Sequence, residues 1–153
     1  MDKAIHDGVK RTGTQAVLLK QNVLIVWKPE YNLGIPIIDE QHRGIVSTIN
    51  SLHFGMQSKY AKEMLTPIIE MMHSYTLIHF HLEEDFLEKI NSPEAQRHIG
   101  LHLELSQELD RTGRDTMLNR DPYKFVGFLK QWWLDHICCE DLIFRDNLYS
   151  NEK

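Results

Sequence analysis

The chain has 153 residues, 42% of them hydrophobic, and a formal net charge of -5. That length and apolar content suit one soluble globular domain with a sizeable core and exclude a disordered chain. The acidic balance, with no basic stripe to neutralise phosphates, argues against nucleic acid as a partner.

Residues 1–22 have no clear periodicity, and Gly8 and Gly13 interrupt any helix, so they are expected to form a mobile N-terminal extension. The apolar runs 16–19 and 23–27 are too short for a signal-peptide core or a membrane span, which predicts a cytoplasmic protein with no membrane span. Residues 23–36 interleave Trp27, Tyr31 and Leu33 with Pro29, Gly34 and Pro36. They are expected to be an extended arm that packs aromatic side chains on a bundle domain covering 23–150.

From Ile37 to about Gln57, the residues Ile38, Ile45, Val46, Ile49 and Leu52 recur at three- and four-residue spacing, the pattern of a helix with one buried stripe. His42 lies on that stripe. A second helix runs to about Ile90, and its start is open: Pro67 suits a first turn after a Thr66 cap, or kinks a helix that began earlier. Ser92-Pro93-Glu94 combines a capping hydroxyl, a first-turn proline and an acid, so a third helix begins there, and Thr112-Gly113 predicts its end. Asp121-Pro122 repeats the start signal, and a fourth helix continues through Trp132, Trp133, His136 and Phe144 to about Leu148. No alternating run competes for a sheet. The fold class is all-α, an up-and-down four-helix bundle with an N-terminal extended arm.

Seven side chains on these helices carry metal-binding chemistry: His42, His79, Glu83, His98, His102, His136 and Asp141. Residues four apart lie about 40° apart around a helix, so His79 with Glu83 and His98 with His102 each form a chelating pair on one face. Asp141 follows His136 by five, about 140° round a regular helix at about 100° per residue. Both would have to reach sideways to a site between helices. Seven donors exceed what one tetrahedral zinc takes, so two metal ions are expected. Iron is the commonest redox-active pair for imidazoles with bridging carboxylates, although ligand type alone leaves manganese and zinc open.

The order His, His-x-x-x-Glu, His-x-x-x-His, His-x-x-x-x-Asp resembles the hemerythrin family, and the surrounding words resemble its bacterial branch. Those words are Trp27 with Gly34, Ile38-Asp39-Glu40-Gln41-His42, His79-Phe80 before Glu83-Glu84, and Trp133 before His136-Ile137. The likeness spans roughly residues 26–148. It implies a four-helix bundle with a non-haem di-iron centre that binds molecular oxygen reversibly. In that case His98, His102 and His136 hold one iron and His42 and His79 the other, with Glu83, Asp141 and an oxo or hydroxo group as bridges. Three histidines would give the first iron six donors and two histidines would leave the second with five, so oxygen would bind at the second. Ile38, Ile45, Ile49, Met72, Thr76, Leu101, Leu105, Trp133 and Ile137 are candidates for an apolar pocket around it.

The other histidines, His6, His53, His73 and His81, are expected at surface or boundary positions. Glu70-x-x-His73 has a spacing used in carboxylate-rich di-iron oxidases, but those need the motif twice. Glu84 and Asp85 are expected to be solvated. Met71, Met72, Phe80, Phe86, Phe125, Phe128, Trp132 and Phe144 are expected to be core or boundary packing. Cys138 and Cys139 are adjacent, which strains a mutual disulfide, and the ligand set is complete without their thiolates. The functional expectation is oxygen storage, delivery to an oxygen-consuming enzyme, or buffering, and not catalysis. A sensor of oxygen, redox state or iron, acting through residues 1–22, is the alternative, followed by an enzyme consuming peroxide or nitric oxide.

Overall fold

The computed structural model describes residues 23–57 and 60–150, so the expected mobile extension at 1–22 lies outside the described residues. The helices are α1 (Pro36–Gly55), α2 (Ala61–Lys89), α3 (Ala95–Asn119), α4 (Pro122–Trp132) and α5 (Asp141–Ser150). Trp133–Glu140 winds as a π-helix between α4 and α5, and the three segments run on without a break as the fourth rod of the bundle. No strand occurs among the described residues. α1 and α3 each pack against both α2 and α4, which is the cyclic neighbour pattern of an up-and-down four-helix bundle.

Local chemistry sets most helix ends. Pro36 occupies the first turn of α1. Asp39 reaches back to accept from the Leu33 and Gly34 N–H groups at 2.6 and 3.1 Å, and Gly34 has φ 83°, a left-handed conformation open to glycine. Ser92 Oγ accepts from Glu94 N–H at 3.3 Å just before α3, and Asp121 Oδ1 accepts from Tyr123 N–H at 3.0 Å at the start of α4.

The open choice for the start of α2 is decided in favour of the earlier start, and one expectation about helix extent, the end of α3, is corrected. α2 begins at Ala61, with Pro67 inside it. Proline removes only the bond to the exposed Glu63 carbonyl, which water can satisfy, while the buried Leu65 ties the leading turn to the core. α3 passes through Thr112-Gly113 and ends at Asn119, where Arg120 takes a left-handed conformation at φ 52° and ψ 42°. Gly113 permits a close helix approach here: a Cβ on it would meet Ile69 Cγ2 of α2 at 3.1 Å.

The non-helical residues ahead of α1 form the expected arm. Asn50 Oδ1 accepts from the N–H groups of Leu24 and Ile25 at 3.0 and 2.9 Å, and its Nδ2 donates to the Ile25 carbonyl at 2.8 Å. Trp27 and Tyr31 pack edge-on or tilted against each other and against the buried Trp133, with ring centroids 5.4 to 5.8 Å apart. A single 3-10 turn at Pro29–Tyr31 aims them there.

The apolar core is in two parts. A large cluster includes Ile45, Ile49, Met72, Phe80, Leu109, Phe125, Trp133 and Ile137, and a small one holds Leu33, Ile38, Leu87, Ala95 and Phe144. On each rod a histidine or carboxylate separates the two. His42 lies between Ile38 and Ile45, Glu83 between Phe80 and Leu87, His98 and His102 between Ala95 and Leu109, and Asp141 between Ile137 and Phe144. A polar layer therefore crosses the bundle between apolar floors, where burial strengthens electrostatic interactions.

Candidate metal centre

All seven residues singled out for metal chemistry meet in this layer, each 2% exposed or less. Helical phase on α2 and α3 explains four of them. His79 and Glu83 lie on one face of α2, their nearest atoms 3.8 Å apart, and the His98 and His102 rings lie 4.6 Å apart on α3. His42 enters from the buried stripe of α1.

The remaining pair departs from the regular-helix expectation. His136 and Asp141 do not have to reach sideways, because the π-helix joins them: Asp141 N–H donates to the His136 carbonyl, an i→i+5 bond. Looser winding puts residues five apart on the same face, so both side chains enter the layer directly.

The donors sort into two groups, Glu83 with His98, His102 and His136, and His42 with His79, Glu83 and Asp141. Within each group, one donor atom per residue lies within 4.8 Å of the others. Glu83 belongs to both: its Oε2 is 3.2 Å from His102 Nε2, 3.4 Å from His98 Nε2 and 3.8 Å from His79 Nε2. Asp141 straddles them, with Oδ1 3.3 Å from His98 Nε2 and from His136 Nε2, and Oδ2 3.3 Å from His42 Nε2.

Electrostatics hold the two carboxylates of this layer ionised and its imidazoles in different states. Burial alone would raise the Glu83 carboxyl, and Asp141 adds to that, but the imidazoles of His102, His98 and His79 outweigh both and hold it below its ordinary range. Asp141 is likewise pushed up by burial and brought well below its ordinary range by His136, His42 and His98. Burial lowers His79 to about 3, against the pull of Glu83, so it is neutral with a lone pair to give. His136 is also lowered by burial. For His98 burial pulls down, but Asp141 and Glu83 raise it to about 9.

Both oxygens of Glu83 and Asp141, both ring nitrogens of His42 and His98, and Nε2 of His79 are buried without a well-formed hydrogen bond. Each such orphan costs about 1–3 kcal/mol. Converging imidazoles and carboxylates left in this state fit metal cations, which would satisfy them all at once.

The sequence profile described as the Hemerythrin HHE cation binding domain matches residues 33–146, most of the chain. The chain belongs to the hemerythrin family. It is 31% identical over 123 residues to the Bacteriohemerythrin of Pseudomonas aeruginosa (strain LESB58), covering 80% of each chain. It is 27% identical over 129 residues to the Bacteriohemerythrin of Stenotrophomonas maltophilia (strain R551-3), covering 84% of each. A Hemerythrin-like protein of Naegleria gruberi is 28% identical over 120 residues, 78% of this chain and 89% of that one.

The surroundings of this candidate centre add residues that sequence reasoning missed. Glu84 is only partly solvated: its Oε1 accepts from His102 Nδ1 at 2.8 Å, because the position one past Glu83 turns toward α3. Gln41, beside His42, accepts from His79 Nδ1 at 3.2 Å through its Oε1. Phe80 stacks on His102 with centroids 3.8 Å apart and planes 7° apart. The acidic doublet Glu83-Glu84 and the Gln41-His42 pair were the available signals.

The other candidates lie elsewhere. His73 pairs with Asp110 at 3.1 Å at the α2–α3 surface, Glu70 and His81 are exposed, and His53 is half-buried. Met71 is half exposed, whereas the core or boundary reading fits the other aromatics and Met72. Cys138 and Cys139 are free, and neither belongs to the two cation-ready groups; burial pushes the Cys138 thiol up to about 11. Of the proposed pocket lining, seven residues are buried, while Leu101 and Leu105 are half-buried beside a cavity of about 190 Å³ that reaches His136. No helix among the described residues is long and apolar enough to cross a membrane.

Proposed function

We propose that this hemerythrin domain holds two iron ions and binds dioxygen reversibly, as a store, carrier or buffer serving an oxygen-consuming enzyme. His98, His102 and His136 would hold one ion and His42 and His79 the other, with Glu83, Asp141 and an oxo or hydroxo group between them. The observation that carries this reading is the pair of shared carboxylates: Glu83 belongs to both donor groups, and Asp141 turns one oxygen to His98 and His136 and the other to His42. A single ion would leave one of the groups unused.

Iron, when bound, would supply the reversible electron transfer that oxygen binding needs. The protein's own work is to orient, neutralise and exclude water. The histidines would contribute unequally, three against two, which would leave the His42–His79 position with one donor fewer and able to take a small ligand. Two ferrous ions against two carboxylates and a bridging hydroxide leave a small positive charge, tolerable in an apolar interior. Ile45, Ile49, Met72 and Ile137, all fully buried, keep water from that interior and so slow loss of electrons from the reduced centre.

The test is anaerobic reconstitution of the full chain with ferrous iron, metal counting, and an optical spectrum as oxygen is admitted and removed. Two irons per chain and a visible charge-transfer band that comes and goes with oxygen are expected. One metal per chain would sink the paired site. Irreversible oxidation would turn the reading toward a redox sensor or an enzyme.

A further inference from the structure

The two donor groups are supported differently from outside. Glu84 follows Glu83 on α2, so its side chain turns about 100° away from the layer and meets α3, where its Oε1 accepts a hydrogen bond from His102 Nδ1 at 2.8 Å. Phe80, one turn earlier on α2, lies flat against the same imidazole and fixes its plane. With the proton on Nδ1, the lone pair is on Nε2, the atom that faces Glu83 Oε2 at 3.2 Å and His136 Nε2 at 3.1 Å. On the other side, His79 Nδ1 donates to the neutral amide oxygen of Gln41 at a longer 3.2 Å. The Nδ1 atoms of His42 and His98 are buried without partners. Among these contacts, only that of His102 is to a carboxylate outside the seven donors.

A carboxylate accepting the outer N–H makes an imidazole a stronger donor than an amide does, because the charge-assisted bond draws the proton away from the ring. Glu84 is well placed for this: its side chain is only 27% exposed and reaches His102 from outside the layer. We propose that Glu84 is a positioning residue that locks His102 with its proton on Nδ1 and makes the group of His98, His102 and His136 the tighter of two unequal metal positions. The proposal rests on the reading of His102 as a ligand.

The experiment uses cobalt(II) alone as probe, titrated anaerobically into the metal-free full chain against a competing chelator, with long-range nitrogen NMR of the metal-free protein to read the His102 tautomer. For the unaltered protein we expect two cobalt ions in two steps and a proton on Nδ1. Glu84→Leu should weaken the tighter step by roughly 10- to 100-fold, leave the weaker step in place and mix the tautomers. Glu84→Gln keeps an acceptor without the charge, so the tautomer should hold while the tighter step weakens by a smaller factor. It also serves as the soluble control if Glu84→Leu folds poorly. Two cobalt ions bound in steps that neither substitution alters would overturn the role of Glu84 and leave the paired site standing. An equal loss in both steps would reduce Glu84 to general packing. Fewer than two cobalt ions in the unaltered protein would overturn the ligand reading itself, and the proposal with it.

Discussion

The polar layer is reached by two kinds of winding. α2 and α3 are regular, and their donors sit four residues apart, His79 to Glu83 and His98 to His102. In the fourth rod the donors sit five apart, and a π-helix with its bond from Asp141 N–H to the His136 carbonyl brings them onto one face. The same geometric task is met by two sequence spacings because the backbone hydrogen-bond register changes with the spacing. A ligand pattern therefore has meaning only together with the winding of the segment that carries it.

The largest effects are expected at the carboxylates that the two halves share. Glu83→Ala in the regular half and Asp141→Ala in the π-wound half should each abolish paired metal binding, read as fewer than two irons per chain. His81→Ala, at an exposed position beside Glu83, should leave the count unchanged. Retention of two irons by Glu83→Ala would mean that this carboxylate is not shared.

The windings themselves are tested by exchanging the spacings. One alanine added between His81 and Leu82 gives α2 the five-residue spacing without a π-helix, and should remove the second metal. Deletion of the exposed Cys139 gives the fourth rod a four-residue spacing that a regular turn can serve, and should retain both metals. If the insertion variant still binds two, α2 can also unwind, and the difference between the halves is not built in.

Protonation separates the halves next. His98 and His136 both stand 3.3 Å from Asp141 Oδ1, yet the first is raised to about 9 and the second is lowered by burial. For His98 the folded value lies above the unfolded one, so its stabilisation is full below about 6.5 and is lost as pH rises through about 9. For His136 the folded value lies below, so its neutral form favours the fold at neutral pH, and stability falls as pH drops below about 6.5. Denaturant midpoints of the metal-free protein should decline on both sides of neutrality. His98→Gln should flatten the alkaline side and His136→Gln the start of the acid side; unchanged profiles would contradict the assignment.

A smaller effect concerns how closely the regular helices approach. Gly113→Val should destabilise by about 1–3 kcal/mol, because the added methyls press on Ile69. Gly100→Ala, in the same helix with nothing within 4 Å of the added Cβ, should stabilise by about 0.5–1 kcal/mol. Thermal or denaturant melts would check both signs.

Much of this was legible in the chain. The stripe from Ile38 to Leu52, the caps at Ser92 and Asp121, and the four-residue pairs depend on interactions within a few residues, so sequence spacing carries them. The contact of Glu84 with His102 was missed because its neighbour on α3 is 18 residues away and only the bundle brings them together. Gly113 looked like a helix end because a glycine's local cost is visible in sequence, whereas the Ile69 surface that needs it is not.

By itself the sequence determined the helical class, the order of the four rods and the identity of the seven candidate donors, because hydrophobic periodicity, capping and donor chemistry are properties of short stretches. Only the tertiary structure decided that the fourth rod loosens into a π-helix, that Asp141 faces both donor groups, and that Glu84 and Gln41 stand behind His102 and His79. Those outcomes depend on which backbone register lets neighbouring helices pack and buried polar atoms find one another, a competition that no single segment settles.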